Sequence, residues 1–389
     1  MSRLHILIVS DQLLGNLIPT LMRCPEQVAL IVTPSMRDQA RRLTALLEER
    51  GIIVQRFEDA PDVDLSKLQE FALDVIAKLS GQAEEIELNL TGGTKLMAIG
   101  FLEVLRSEVD RCVYTDTAHG RLELLPIEGQ DKSEPPQPLN SVLDVSTYLR
   151  AQGFQVRRIE SDDVDRLEQV RARKSVCKDL AQRAADWGDV LGMLNDLASK
   201  AMRKDDLVEP NQMLDKAPHG RWEQALGWLA SKGMLGWEGG AEVDFLDPER
   251  TRFLNGGWLE EYVYHRLVDE GVDDVALSVT GTWEGTEGAR NEFDVVAVHR
   301  NHLLVVECKT NKHGRDEAAD DKQFYKLNSL SQGVRGLFGR TWFVTARRAQ
   351  PHMEGRAKQH DIEIIGPDRL PRLRNEVRQW MEDVAPRGV

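Results

Sequence analysis

The sequence predicts an α/β protein with two sheet-bearing units joined by a mostly helical connector. Strand-like apolar runs alternate with amphipathic segments from residue 1 to about 128, a polar, proline-rich break occupies 129–138, and a second set of strands and helices begins after Gly256. In the first unit the strand candidates are 5–10, 27–33, 51–57, 85–90 and 111–116. Helical patterns lie between them at 36–50, 65–79 and 96–109. Strands alternating with helices predict a parallel sheet covered on both faces, a Rossmann-like unit over 1–138.

The connector, 139–256, is expected to be helical. Residues 175–202 have helical periodicity, with Gly188 and Gly192 as interruptions. Residues 220–245 read as a helix, a turn at Gly233 and a glycine-tipped hairpin, the order of a winged helix. That helix carries few Lys or Arg for a DNA reader, so a packing spacer is the favoured reading. The third unit, 257–389, opens with a helix (WLEEYVYHRLVDEG) and a strand at 275–283. A polar excursion at 284–290 precedes two strands within 291–310. A helix at 316–330, a strand at 340–346, a helix at 351–360, a strand at 362–366 and a last helix follow.

Composition narrows the function. The chain has 389 residues and 41% hydrophobic content, ordinary for a globular protein. With no run of about 18 apolar residues, no membrane span is expected, and the N-terminal apolar run reads as a first buried strand. Four scattered cysteines (Cys24, Cys112, Cys177, Cys308) point to a reducing cytoplasm and away from a zinc cluster. A net charge of −14 argues against a nucleic-acid coat protein but does not exclude a nuclease, whose metal ligands are themselves acidic.

Chemistry concentrates in Asn291–Thr310. Two apolar strands turn at His299–His302; the first carries a lone acid, Asp294, and the second carries Glu307 and Lys309 on one face. Two acids and a lysine between apolar runs are costly to desolvate unless a cation lies among them. A divalent metal with its bound water satisfies that demand, and the expected activity is that of a nuclease. Cys308 alternates to the other face as a buried small residue. His299 and His302 are expected in solvent, and Trp258, Trp283 and Trp342 in the core. Lys322 and Gln323 lie on the helix expected to cover the sheet.

A second signal is the strand 85–90 running into Thr91-Gly92-Gly93-Thr94-Lys95 and then a helix. Free N–H groups and the helix dipole make such a turn an anion site, although the spacing is not that of a P-loop. Ser10-Asp11-Gln12 and Thr33-Pro34-Ser35 also follow predicted strands and share the strand-end edge where open α/β sheets bind ligands.

The strand-TGGTK-helix element resembles the CARF domain, the CRISPR-associated Rossmann fold. That resemblance implies a homodimer whose paired edges hold a cyclic oligoadenylate, cyclic tetra-adenylate. Its phosphates would lie near Thr91–Lys95 and its adenines near Ser10–Gln12 and Thr33–Ser35. Asp294 followed by Glu307-Cys308-Lys309 is similar to the PD-(D/E)xK nuclease core, the domain expected over 257–389, with Phe293 where a proline often stands. The similarity implies Mg²⁺ or Mn²⁺ held by Asp294, Glu307 and the Cys308 carbonyl, with Lys309 acting on water or phosphate. An acid from the preceding helix, Glu260 or failing that Glu261, would complete the shell. Together the two resemble the CARF nucleases of type III CRISPR defence. They imply a cytoplasmic endonuclease, activated by cyclic tetra-adenylate, that cleaves single-stranded DNA or RNA and nicks supercoiled duplex. A non-catalytic sensor or transcription regulator using the winged-helix-like module is the alternative.

Overall fold

The computed structural model describes residues 2–385 apart from 118, 128–134, 287, 289, 311–316 and 337, and the side chains of 317–324 and 326 also lie outside the description. The expected excursion at 284–290 and the proline-rich break at 129–138 are therefore described in part. The side chains of Lys322 and Gln323 lie outside the described residues.

The first unit runs β1 (Arg3–Ile8), α1 (Leu14–Arg23), β2 (Gln27–Ile31), α2 (Arg37–Glu48), β3 (Ile53–Phe57), α3 (Leu65–Leu79), β4 (Glu85–Asn89), α4 (Lys95–Leu105), β5 (Arg111–Asp116), β6 (Arg121–Leu125) and β7 (Gln137–Pro138). The next segment holds α5 (Val145–Ala151), β8 (Phe154–Ile159), α6 (Val164–Ala172), α7 (Lys174–Ala201), β9 (Met202–Arg203), β10 (Asp206–Leu207), β11 (Asn211–Met213), α8 (Arg221–Ser231), β12 (Glu242–Asp244) and α9 (Pro248–Arg252). The last comprises α10 (Trp258–Asp269), β13 (Asp274–Trp283), β14 (Arg290–His299), β15 (His302–Lys309), α11 (Glu317–Arg335), β16 (Gly339–Thr345), α12 (Pro351–Gln359), β17 (Ile362–Ile365) and α13 (Leu373–Asp383).

Among the described residues the chain builds two main sheets. The first has the order β3-β2-β1-β4-β5-β6-β7, parallel through β5 and antiparallel beyond it. The order reverses between β1 and β4, and β1 through β5 all end on one edge. Successive β1 residues alternate between two cores: Leu7 and Val9 pack with α1 and α2, while Leu4, Ile6 and Ile8 pack with α3 and α4.

The second sheet has the order β17-β16-β15-β14-β13-β8. Its outer strand, β8, comes from the segment expected as connector and pairs antiparallel with β13. One face packs on α7, α8, α10 and α13. The other, through Val296, Val298, Leu303 and Val305, packs with Leu143, Tyr148 and Leu149 of the α5 region and is continuous with the α1 and α2 core of the first sheet. The two sheets thus share one apolar core. Hydrogen bonds pin the same junction. Tyr148 donates to the Arg335 carbonyl at 2.9 Å, and Asn301 Oδ1 accepts from Val142 and Leu143 N–H at 2.9 and 3.2 Å.

Two expectations are corrected. Gly188 and Gly192 do not interrupt the helix, since α7 runs unbroken from Lys174 to Ala201. Each costs about 1 kcal/mol of helix propensity relative to Ala, and each meets a close neighbour: a Cβ on Gly188 would lie 3.1 Å from the Ala346 carbonyl, one on Gly192 3.3 Å from Arg347. His299 and His302 are not in open solvent. His299 is buried, with Nδ1 3.0 Å from Asp273, and His302 is partly buried with its ring edge-on to Phe338. The turn itself is only Arg300-Asn301, both with left-handed backbone (φ 49° and 63°), as a two-residue hairpin requires. Trp258 and Trp342 are core residues as expected, while Trp283 is partly buried against it.

Candidate functional site

The site begins with an irregularity in β13 and β14. Ala276 faces one core and Leu277 the other, yet Val279 returns to the Ala276 side; on β14, Val295 and Phe293 likewise face opposite cores two residues apart. Strict alternation would put each such pair on one face. The slip falls at Ser278 and Asp294, opposite each other in the strand register, and Ser278 is left-handed (φ 49°). Such a conformation costs about 1–3 kcal/mol for a non-glycine residue. It releases Asp294 from both cores, and its carboxylate meets the backbone of the neighbouring strand instead.

Continuing the β14–β15 register from Val295↔Val306 puts Asp294 opposite Glu307. The Cys308 N–H donates to Asp294 Oδ2 at 2.7 Å; Lys309 Nζ lies 2.6 Å from Glu307 Oε1 and 3.7 Å from Asp294 Oδ2. Burial, followed by the Glu307 charge, raises the Asp294 pKa to about 7 against the pull of Lys309. Burial opposes the Lys309 charge, but Asp294 and Glu307 more than offset it and hold the ammonium well above the usual lysine value. Cys308 is buried, and burial raises its thiol far above the reactive range, so the side chain fits the packing role expected of it.

The helix α10 brings up the third acid. It is entered through a π-helical turn, Phe253–Gly257, in which Gly256 takes φ 115°. Asn195 of α7 fastens that turn to the end of β15 by donating to the Asn255 carbonyl at 2.6 Å and to Thr310 Oγ1 at 2.9 Å. Glu260 leaves α10 toward Asp294. Burial first, then the Asp294 charge, push its pKa well up. Its neighbour Glu261 points the other way, 1% exposed, into a bidentate pair with Arg173 (3.0 and 2.6 Å) and a 3.2 Å contact with Arg166. Neighbours on a helix diverge by about 100°, so one acid faces Asp294 and the other anchors the helix.

The donor chemistry fits a hard divalent ion. Asp294, Glu307 and the Cys308 carbonyl present oxygen, and the raised Asp294 pKa marks a place where added positive charge is favoured. Among the described residues no three acidic, imidazole or thiol side chains converge as a ready cage. An ion that keeps most of its shell as water suits two carboxylates and a carbonyl, as Mg²⁺ does.

At the first sheet's strand-end edge, Thr94 caps α4, accepting from Met97 N–H at 3.2 Å, and Lys95 is exposed as its first residue. Thr91 is largely committed to structure: its hydroxyl accepts from Thr115 N–H at 2.8 Å and lies 3.1 Å from Thr115 Oγ1. Gly92 packs on β1, where a Cβ would fall 1.9 Å from the Ile8 carbonyl, and Gly93 needs φ 74°. Across the order reversal, Ser10, Asp11 and Gln12 follow β1, with Asp11 accepting from Gln39 at 2.6 Å. Thr33, Pro34 and Ser35 follow β2, Thr33 buried and its hydroxyl 3.1 Å from that of Ser35. The sequence reading missed Thr115, which binds the glycine loop from β5, and Asn16, which donates to the Ile8 carbonyl at 2.7 Å. A polar residue ending the fifth parallel strand was the available signal for Thr115. Nothing local marked Asn16.

The Gly92 contact gives a direct expectation. Gly92→Ala forces the loop off Ile8 at about 1–3 kcal/mol. Thermal unfolding should show the loss, and ligand binding at this edge should weaken with it. Unchanged stability would mean that the loop is not held against β1.

Family comparison matches residues 4–148 to the Card1 CARF domain and residues 247–384 to the Card1-like endonuclease domain. Among solved structures, protein VC1899 from Vibrio cholerae aligns over 99% of both chains at 23% identity and a TM-score of 0.85. Can2 from Sulfobacillus thermosulfidooxidans, solved with cyclic tetra-adenylate, aligns over 97% of both at 23% identity and a TM-score of 0.76. A type III CRISPR defence DNA nuclease activated by cyclic oligoadenylate aligns over 90% of this chain and 46% of its own, at 18% identity and a TM-score of 0.55. No curated protein sequence matches. At these identities the structural likenesses speak for the fold, and the two domain matches carry the assignment: the chain belongs to the Card1-like family, in which a CARF domain is joined to an endonuclease domain.

Proposed function

We propose that this protein is a metal-dependent endonuclease of the PD-(D/E)xK type, switched on when cyclic tetra-adenylate occupies the edge formed by Ser10–Gln12, Thr33–Ser35 and Thr91–Lys95. The observation that carries the reading is the Asp294, Glu307 and Lys309 cluster, standing at a strained break in the sheet of the endonuclease domain. Asp294, Glu307 and the Cys308 carbonyl would hold Mg²⁺ or Mn²⁺, with Glu260 approaching from α10. When bound there, such an ion would supply polarisation of the scissile phosphate and a lowered pKa for water. Lys309, kept protonated by its two acids, orients that water or meets charge developing on the phosphate. The substrate is single-stranded DNA or RNA, with nicking of supercoiled duplex.

Two chains pair through their CARF domains, so that the activator lies between paired edges; Can2, which aligns over 97% of both chains, was solved with cyclic tetra-adenylate. The shared core offers the route to the second domain. Gln12, on the activator edge, and Gln152 both approach Gly336, just past the end of α11, where a Cβ would lie 3.7 and 2.8 Å from them. A ligand that binds one arrangement of this junction better shifts the population toward it.

Metal binding gives a test with a sign. The Asp294 pKa in the metal-free fold is raised to about 7 from an ordinary 3.8, so protonation there stabilises that fold. This contribution is complete below the ordinary value and is lost as pH rises through about 7. A metal competes with the proton. The rise in Tm on adding Mn²⁺ should therefore be larger at about pH 8 than at about pH 6, and absent in Asp294→Asn. An equal rise in that variant would remove Asp294 from the ligand set.

A further inference from the structure

We infer that Arg221, Arg347 and Arg348 form a phosphate cradle that holds the backbone of a single-stranded nucleic acid beside the catalytic strand. The inference rests on the endonuclease reading above and names the surface that receives its substrate.

The strands β15, β16 and β17 are parallel, so their carboxyl ends share one edge. Thr345 pairs in register with Lys309, and the Ala346 N–H donates to the Lys309 carbonyl at 3.0 Å. The next two residues are Arg347 and Arg348. The two mid-helix glycines of α7 gain a reason here. A Cβ on Gly188 would lie 3.4 Å from Arg347 Cδ, and one on Gly192 would lie 3.3 Å from Arg347 Nη1 and 3.6 Å from the Thr310 carbonyl. Bare backbone at both positions lets the Arg347 side chain lie along α7 next to the catalytic strand. There Asp189 holds Nη2 at 2.7 Å.

Arg348 is 81% exposed and lies 3.7 Å from Asp368. Arg221 is exposed at the first turn of α8. The three arginines line one open hollow of about 240 Å³, together with Asp186, Asp189 and Gln350. In the lining three guanidiniums face two carboxylates, with Asp368 beside Arg348 outside it, in a chain whose net charge is −14. Guanidinium forks match phosphate oxygens in pairs, and backbone contacts of this kind hold a strand without reading its bases.

The test uses the full-length protein and a fluorescent oligothymidylate, with anisotropy read in EDTA and cleavage read in Mn²⁺ with cyclic tetra-adenylate. Arg221→Glu/Arg348→Glu should weaken binding about tenfold and flatten the log–log salt dependence by about 0.7 for each phosphate no longer neutralised. KM should rise while kcat holds, and Arg347→Lys, which keeps charge but loses the fork, should fall between. Lys78→Glu, an exposed reversal on α3, serves as the charge control and should match wild type. Wild-type cleavage with unchanged KM and salt slope in the double variant would overturn the cradle alone. Wild-type protein that neither binds nor cleaves would overturn the endonuclease reading with it.

Discussion

Asp294→Asn is expected to lose cleavage by about a thousandfold while the fold survives. The amide keeps the shape and can still accept the Cys308 N–H, now made at 2.7 Å, but removes the charge that a metal needs. A catalytic ion would supply several kcal/mol of transition-state stabilisation, and at 1.36 kcal/mol per factor of ten its loss is about three decades. Lys309 retains Glu307 at 2.6 Å, so its charge is not stranded in the variant. Cleavage of a labelled strand in saturating Mn²⁺, beside a thermal melt, separates chemistry from folding. Activity within tenfold of wild type would remove Asp294 from the reaction. A variant that melts far below wild type would make its role structural.

The second large effect belongs to the neighbour of the candidate ligand. Glu261→Ala should destabilise the protein by about 3–5 kcal/mol, the range for stranding one partner of a buried ion pair. Arg173 is buried and makes both of its bonds to this carboxylate, with Arg166 also in contact, so the deletion strands charge with no water to solvate it. At roughly 2–4 °C per kcal/mol the melt should fall by about 6–20 °C. Glu261→Leu with Arg173→Met should recover much of the loss, because an apolar pair of similar volume often equals a buried ion pair. Glu260→Gln should leave the melt near wild type and lower activity. A reversed pattern, with Glu260 carrying stability and Glu261 carrying rate, would contradict the orientation of α10.

Much of this was legible because the sheets obey simple periodicities. The apolar runs predicted β1, β2, β4 and β5, and a strand running into TGGTK predicted a loop at a helix N-terminus, where Thr94 indeed caps α4. The acid, acid and lysine of β14 and β15 were visible as charges inside apolar strands. What stayed hidden depended on partners distant in sequence. Nothing near Phe154–Ile159 shows that it will pair with β13, more than a hundred residues later. The choice between Glu260 and Glu261 needed the rotation of α10, which Arg173 and the turn at Gly256 fix. Gly188 and Gly192 looked like helix breaks because their reason, Arg347, lies just past the end of β16. His299 looked exposed because a hairpin turn usually is, and its acid, Asp273, comes from the preceding strand's approach.

The central claim is that the strand-end edge of the first sheet controls the acid cluster of the second. Plasmid and labelled single-strand cleavage in Mn²⁺, with and without cyclic tetra-adenylate, tests it most directly. Cleavage should be near background alone, rise steeply with the activator, and stay at background in Asp294→Asn at any activator concentration. Full-rate cleavage without the activator, or none with it bound, would contradict the coupling of the two domains.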